Sequence, residues 1–208
     1  MSFDSILKKL VKSSIKQLAA ATKPKPAQKP KPRAKPNTKM GGITAHTNTM
    51  TALNDARMAT FQSNEDLIAS YQFVSALDSH VCPLCGARDG LRWTPNHEPI
   101  GHSLRFANPP LHVGCRCVII PVTKTWEELG VKNMPETKFS TRASTDGQVP
   151  ASTTFEQFLS RKGAAWQDKV LGVSRAQIWR DKKLTLQDLV DEFGRELTLD
   201  ELRAKYRA

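Results

Sequence analysis

The first apolar residues of the chain recur every three or four positions, which is the period of an amphipathic helix. Residues 1–20 therefore predict a short amphipathic helix. Its apolar positions are Phe3, Ile6, Leu7, Leu10, Val11, Ile15 and Leu18. Such a helix could dock on a partner protein, lie on a membrane surface or fold back on the rest of the chain. The absence of Trp favours docking on a protein.

A second helical pattern begins after Gly41 and Gly42. Residues 43–69 are rich in Ala, Thr, Met and Asn and contain no proline, and four residues share one stripe at helical spacing. The stripe consists of Met50, Leu53, Arg57 and Phe61. This pattern predicts a helix over about residues 44–62.

The pattern then changes to short runs of aromatic and β-branched residues. Residues 71–77 and 118–122 have the composition of strands. The residues between them are rich in Pro and Gly, which predicts a long loop with one small hairpin around Leu91 to Trp93. No run of about 18 apolar residues occurs, so we expect no membrane span.

The last third of the chain shows helix signals after an irregular stretch. Residues 126–150 predict a connector without regular structure, and residues 151–208 predict a helical C-terminal subdomain with its own core. The signals are Thr153-Thr154-Phe155-Glu156, Ser174, Thr185-Leu186-Gln187-Asp188 before a stop at Gly194, and Thr198-Leu199-Asp200-Glu201. The expected fold class is therefore α+β: a helix, a small β-hairpin module, and a helical subdomain.

Positive charge is concentrated before the second helix. Residues 1–39 hold eleven Lys or Arg and one acid, Asp4, and so supply ten of the chain's eleven net positive charges. Residues 21–42 are rich in Lys and Pro and predict a disordered basic arm. The arm could be a solvated spacer or could bind phosphates of nucleic acid without reading sequence. Its candidate DNA-binding residues are Lys23, Lys25, Lys29, Lys31, Arg33, Lys35 and Lys39.

Four cysteines carry the clearest chemistry of the chain. Cys82 and Cys85 form a CxxC pair, and Cys115 and Cys117 form a CxC pair. Lysines interrupt the apolar residues near the N-terminus, so we expect no signal peptide and an intracellular setting, which favours a metal over disulfides. Zn²⁺ prefers such thiolates in closed structural sites. Cystine bridges and simple reduced thiols are the alternatives.

The two predicted strands give a reason for the cysteines to meet. CxxC follows the first strand and CxC precedes the second, so antiparallel pairing would bring the four sulfurs together at one end. A zinc ion there would hold the base of the long loop. His112 is an alternative fourth ligand in place of Cys117. Arg116 could pair with Asp78 or Asp89, or be an ordinary exposed arginine.

Several short motifs, in this order, resemble a known family. They are Leu77-Asp78, Cys82 and Cys85, Asp89-Gly90, Pro109-Pro110, His112 and Cys115-Arg116-Cys117. Together with the preceding helix they make residues 43–125 similar to the cysteine-rich module of Mu-F-like minor head proteins, the phage head morphogenesis proteins of tailed bacteriophages. Residues 153–203 are similar to segments that follow this module in many members. The basic arm stands where many members carry a larger N-terminal region.

The resemblance implies a non-enzymatic minor capsid protein. Its expected partners are the portal or major capsid protein and, through the arm, phage DNA. Its expected location is the virion, in the head interior or near the portal, and the host cytoplasm during assembly. Two other classes remain open from the residues themselves: a zinc-stapled nucleic-acid-binding module, and an HNH-like nuclease in which His112 would activate water. The Asp-His pair and later Asn/His ligands of such a nuclease are missing, as is a phosphate-binding Gly-Lys-Ser/Thr loop.

Overall fold

A computed structural model describes residues 38–133 and 140–206 of the chain, with side chains from residue 41 onward. The helix predicted for residues 1–20 and most of the basic arm lie outside these residues. The described part combines helices with a four-stranded and a two-stranded antiparallel sheet. The α+β class is therefore confirmed.

The first helix, α1, runs from Thr38 to Gln62 and so begins six residues before the expected start at Thr44. It continues through Gly41 and Gly42, although each glycine in a helix costs about 1 kcal/mol relative to alanine. Only a narrow stripe of the helix is buried, centred on Asn54 and Met58. The glycines are exposed, so they meet no packing constraint. The Ala-rich remainder of α1 stabilises the helical conformation.

The main sheet contains the predicted strand pair. After a 3-10 turn at Glu65–Leu67 the strands are β1 (Ile68–Val74), β2 (Arg92–Trp93), β3 (Pro99–Ile100) and β4 (Val118–Thr123), in the order β3-β2-β1-β4. β1 and β4 pair antiparallel, as predicted. The predicted small hairpin near Leu91 is the β2–β3 pair. β1 begins and ends three residues before the expected range 71–77.

The register of the sheet puts its large side chains on one face. Tyr71 lies between Trp93 and Pro121, and Phe73 lies opposite Ile119. Tyr71, Phe73, Trp93 and Ile119 are all at most 1% exposed. Residues that alternate with them, such as Ile120, face outward.

The connector predicted for residues 126–150 is not wholly irregular. β5 (Thr141–Ser144) and β6 (Gly147–Pro150) form a hairpin with a turn at Thr145 and Asp146, and Gly147 at the start of β6 has a positive φ of 103°. The sequence prediction missed it because the two strands hold few β-branched residues. An Asp-Gly pair between short strands was the available signal.

The tail is helical, as predicted, although two of its expected starts are wrong. A four-residue helix, α2 (Pro83–Gly86), lies between β1 and β2. The helical elements of the tail are α3 (Phe155–Ser160), α4 (Ala164–Leu171), α5 (Val173–Asp181), a 3-10 turn (Gln187–Leu189) and α6 (Leu199–Lys205). Thr154 and Thr198 form full capping boxes. Ser174 does not cap α5, which begins after Gly172. The segment after Thr185 makes only a 3-10 turn, although the carboxylate of Asp188 accepts the N–H and the hydroxyl of Thr185, as in a capping box.

The core of the tail is continuous with the core of the cysteine module. Residues 39–208 form one compact unit, and buried residues from the sheet, the cysteine loops and the tail belong to one cluster. Phe155 of α3 packs directly on Gly86 of α2, where a Cβ would lie only 2.7 Å from the ring. This differs from the expectation of a tail with a separate core. Amphipathic helices have the same sequence pattern whether they pack on one another or on a neighbouring module.

Candidate metal centre

The CxxC pair lies on the first helical turn after β1. Cys82 is the N-cap of α2, with Pro83 at the first helical position, where the missing N–H of proline costs nothing. The Gly86 N–H donates to the Cys82 carbonyl over 2.9 Å. Because one helical turn separates the two cysteines, both sulfurs can face the same side.

The CxC pair precedes β4 directly. A turn at Gly114, with φ of 78°, lets the Cys115 N–H donate to the His112 carbonyl over 3.1 Å. Alternate residues of an extended chain point to the same side. Cys115 and Cys117 are accordingly both buried, while Arg116 between them is exposed.

The loops bring five donor atoms to one place. Nε2 of His112 lies 3.4 Å from Sγ of Cys82 and 3.3 Å from Sγ of Cys85. Sγ of Cys85 lies 3.9 Å from Sγ of Cys115. Two donor groups result, Cys82–Cys85–His112 and Cys85–Cys115–Cys117, each with its ligand atoms within 4.8 Å of one another. Cys85 belongs to both groups. The CxxC and CxC pairs are therefore neighbours in the structure; that all four sulfurs bind one ion stays a prediction.

Within each group of three donors, these distances fit ligands of a tetrahedral metal ion. With Zn–S bonds of 2.3 Å, two sulfurs at a tetrahedral zinc are separated by about 3.8 Å, and a sulfur and a nitrogen by about 3.5 Å. The cavity at the cluster has a volume of only about 10 Å³, roughly one water-sized sphere. The cluster therefore has the dimensions and the donor chemistry to hold a metal ion. All four cysteines are free of disulfides.

Nε2 of His112 is available as a metal-ligand atom. Nδ1 lies 2.9 Å from the carbonyl of Val113, and because a carbonyl only accepts, Nδ1 carries the proton. A neutral ring then has a free electron pair on Nε2, directed at the sulfurs. Burial lowers the pKa of His112, but the bond to Val113 and the nearby thiolates outweigh it and raise the pKa overall.

The thiols control one another's ionisation because they lie so close together. A hydrogen bond from Cys85 lowers the pKa of Cys82 to about 6, and one from Cys117 lowers the pKa of Cys115. Bonds made with Cys115 raise the pKa of both Cys85 and Cys117. Two sulfurs therefore ionise readily and two keep their protons, so a cation is needed before all four can be thiolates together.

Side chains outside the donor set fix the second pair of cysteines. Arg116 donates to both carboxylate oxygens of Asp78 over 2.5 and 2.8 Å, which confirms one of its two predicted partners. The sequence did not reveal two further contacts from α1. Nδ2 of the buried Asn54 donates to the Cys117 carbonyl over 3.2 Å. Nε2 of His46 lies 3.1 Å from the Cys115 carbonyl, so the ring donates there.

Asp89, the other predicted partner of Arg116, pairs with a different arginine. Its side chain is fully buried and pairs with Arg142 of β5 over 3.0 Å. It also accepts the N–H groups of Ser75 and Phe155, both over 2.6 Å. Arg142 donates in addition to the carbonyls of Ser75 and Thr153. This pair joins the end of β1, the β5–β6 hairpin and the start of α3.

Of the predicted DNA-binding residues, the structure describes only the backbone of Lys39. Lys39 lies in the first turn of α1, and the other six candidates lie outside the described residues. Within the described ranges, none of the helices combines the length and the apolar character that crossing a bilayer requires.

Comparison with known families agrees with this architecture. A model of the family described as phage Mu protein F like protein matches residues 12–120, which is more than half of the chain. The protein therefore belongs to this family of phage head morphogenesis proteins. The match begins within the segment that we assigned to the N-terminal helix and arm, and it ends before the helical tail. No curated protein and no solved structure matches the chain.

Proposed function

We propose that this protein is a non-enzymatic minor capsid protein of a tailed phage, which acts near the portal during head assembly and remains in the virion. Its partners would be the portal or major capsid protein. Membership of a family of structural head proteins supports the assignment. The single observation that carries it is the Cys/His cluster at the base of the β1–β4 pair, within the matched region.

The cluster's proposed role is to hold a structural Zn²⁺. Three of its sulfurs, on Cys85, Cys115 and Cys117, belong to residues at most 4% exposed, and closed thiolate sites of this kind are typical of structural zinc. Either Cys117 or His112 supplies the fourth ligand, with Cys82, Cys85 and Cys115. The ion would supply binding and folding energy and no reaction chemistry.

A catalytic role for His112 is disfavoured by its surroundings. A general base must reach a water molecule or a substrate, whereas Nε2 of His112 lies within 3.4 Å of two sulfurs. A nuclease therefore has no specific observation in its favour. Divalent-metal-dependent nicking of plasmid DNA that disappears in His112→Ala would reverse this conclusion.

The ligand set can be tested by comparing two variants. Metal analysis should find about one zinc per chain in the wild type. If all four cysteines bind, Cys117→Ser loses zinc and His112→Ala keeps it; if His112 binds, the result is the opposite. A zinc content near zero in reduced wild-type protein would refute the metal centre.

The location in the virion is tested on intact particles. The protein should co-purify with heads or with portal complexes, and a cryo-EM map of the particle should show the chain beside the portal. Its presence only in the soluble fraction of infected cells would contradict the proposal.

The basic arm is proposed to contact packaged DNA without sequence readout, through Lys23, Lys25, Lys29, Lys31, Arg33, Lys35 and Lys39. Retention of the full chain on DNA should fall steeply with salt, as expected for phosphate contacts. Deletion of residues 1–39 should abolish the salt-sensitive retention. Unchanged retention after deletion would exclude the arm from this role.

A further inference from the structure

The segment that carries the CxC pair, residues 114–117, lies against helix α1. At its start, the N–H of Gly114 donates to Oγ1 of Thr47 over 2.9 Å. At the next position, Nε2 of His46 donates to the carbonyl of Cys115 over 3.1 Å. Two neighbouring residues of α1 therefore bond to the backbone of two neighbouring residues of this segment.

The end of the segment is bonded two helical turns further along α1. Nδ2 of Asn54 donates to the carbonyl of Cys117 over 3.2 Å. The helix rises by about 10.5 Å between Thr47 and Asn54. An extended chain covers about 10 Å between Gly114 and Cys117. The helix and the segment therefore run side by side in the same direction, and the spacing of their bonds matches.

Further hydrogen bonds fix the orientation of these side chains on α1. The hydroxyl of Thr47 donates to the Ile43 carbonyl over 2.9 Å, so its oxygen is free to accept. Nη1 of Arg57 donates to Oδ1 of Asn54 over 3.4 Å, which leaves Nδ2 as the group that bonds to the segment. Asn54 is only 1% exposed, and a buried amide without a partner is strongly disfavoured. Contacts within α1 therefore direct these groups toward the CxC pair.

The bonded backbone determines where the two sulfurs of the pair lie. Sγ of Cys115 and Sγ of Cys117 belong to the donor group whose ligand atoms lie within 4.8 Å of one another. Groups that orient metal ligands from outside the donor set typically change metal affinity by about 10–100-fold. Without them the ion would have to order the segment as it binds, which lowers the affinity.

The first half of α1 depends on the same contacts. None of residues 41–53 is buried, and only Thr47 and Met50 are half-buried. A helical segment of this length is marginally stable in water without tertiary contacts, and Gly41 and Gly42 weaken it further. Because coupling between two sites is reciprocal, an ion that fixes the CxC segment also stabilises the start of α1.

We propose that α1 is part of the metal centre: His46, Thr47 and Asn54 position the CxC pair for the ion, and the bound ion in turn stabilises the first half of α1. This inference rests on the proposed Zn²⁺ site. It holds with either fourth ligand, because Cys115 belongs to both ligand sets. The three side chains are positioning residues, since they act through the backbone of the cysteines and supply no ligand atom.

The first test is the zinc affinity of the full chain, measured under reducing conditions by competition with a chromophoric chelator. The double variant His46→Ala/Thr47→Val removes both bonds at the start of the segment, from positions that are not buried. We expect its zinc affinity to fall by about tenfold or more. Asn54→Leu removes the buried donor and should lower the affinity as well.

Two further variants make this test specific. His46→Gln keeps a donor and should retain most of the affinity. Thr49→Val is the matched control, because the exposed Thr49 hydroxyl bonds to the Ala45 carbonyl within α1; it should bind zinc as the wild type does. A purely structural role would destabilise the metal-free and the loaded protein equally, and would leave the affinity unchanged.

Hydrogen exchange of the wild type tests the effect of the ion on α1. When a chelator removes zinc, the amides of residues 46–53 should exchange about tenfold faster. The amides of residues 57–61, beside the buried Met58, should change much less. In the double variant, removal of zinc should have little further effect on residues 46–53, because the bonds that couple them to the segment are absent.

The outcomes separate this inference from the metal centre itself. If the wild type binds no zinc, the metal centre is refuted and the inference with it. If the wild type binds zinc and the double variant binds it as tightly as Thr49→Val does, the centre stands and the positioning role of α1 is overturned. Equal acceleration throughout α1 and the tail would overturn the stabilisation of α1 by the ion, because that pattern indicates global unfolding. The exchange measurement needs only the wild type, so it decides the question even if a variant fails to fold.

Discussion

The cysteine module and the helical tail are stabilised in different ways. Twenty-nine residues separate Cys85 from Cys115, and the strands within this loop, β2 and β3, have two residues each. In the tail, Thr154 and Thr198 complete capping boxes, and residues such as Leu186 and Leu202 are fully buried. The module depends on contacts between distant residues, whereas much of the tail is specified by neighbours in sequence.

This difference indicates which region of the protein a metal ion stabilises most. Closing a long loop costs conformational entropy that local hydrogen bonds do not offset, so the module gains most from a common ion. The tail gains only at its contacts with the module, such as Phe155 on Gly86 and the hydrogen bond from Arg88 to the carbonyl of Phe193. Substitutions in the two regions should therefore differ both in their effect on metal binding and in how much they lower the free energy of unfolding.

The largest effect is expected from Cys85→Ser, because Cys85 belongs to both donor groups. Loss of the ion should lower the free energy of unfolding by about 5 kcal/mol or more. The measurements are zinc content and thermal denaturation. A chelator should lower the melting temperature of the wild type and leave that of Cys85→Ser unchanged. A variant as stable as the loaded wild type would show that the module does not need the ion.

A somewhat smaller loss is expected from Asp89→Asn. The amide would place a donor against the N–H groups of Ser75 or Phe155 and leave Arg142 buried without its partner. Breaking a buried pair in this way costs about 3–5 kcal/mol, which corresponds to a fall of roughly 10 °C in melting temperature for a protein of this size.

The control for Asp89→Asn is Asp181→Asn, at an exposed aspartate of α5. That variant should melt within a degree or two of the wild type. Zinc content should be kept in both, because the Asp89 carboxylate bonds to Ser75, Arg142 and Phe155 and to none of the candidate metal ligands. Equal melting temperatures for the two variants would contradict the role of Asp89 in joining the module to α3.

Asp89 also shows what the sequence could and could not predict. The meeting of the cysteines was predictable because CxxC and CxC border two recognisable strands. Arg142, in contrast, lies 53 residues from Asp89 in a stretch with weak strand composition, so nothing local indicates the pair. The core that the tail shares with the module was not predictable for a similar reason. The apolar face of α3 has the same sequence pattern whichever element packs on it.

A modest effect is expected from Asp78→Asn, which removes the ion pair with the partly exposed Arg116. Pairs of this kind contribute up to about 1 kcal/mol. The hydrogen bond from Arg116 lowers the pKa of Asp78 below its ordinary value of 3.8. The pair therefore stabilises the folded state above pH 3.8 and loses its contribution as the pH falls through the lowered pKa.

The pH dependence gives the measurement for Asp78. The difference in unfolding free energy between wild type and Asp78→Asn should be constant near neutral pH and should shrink as the pH falls below 3.8. Taking the difference removes the effect of metal release in acid, which both proteins share. Asp66→Asn, at an exposed aspartate, serves as the control. A difference that grows in acid would have the wrong sign for this pair.

The smallest and most local effect is expected from Thr198→Ala at the start of α6. The Thr198 hydroxyl accepts the Glu201 N–H over 3.2 Å, and the Glu201 carboxylate accepts the Thr198 N–H over 2.7 Å. Removing such a cap costs about 1 kcal/mol, because the first N–H groups of a helix have no other partner. Zinc content should be unchanged, and a chelator should lower the melting temperature of the variant and of the wild type by the same amount. If Thr198→Ala released zinc, the stability of the tail and of the module would not be separable, and the contrast between the two regions would fail.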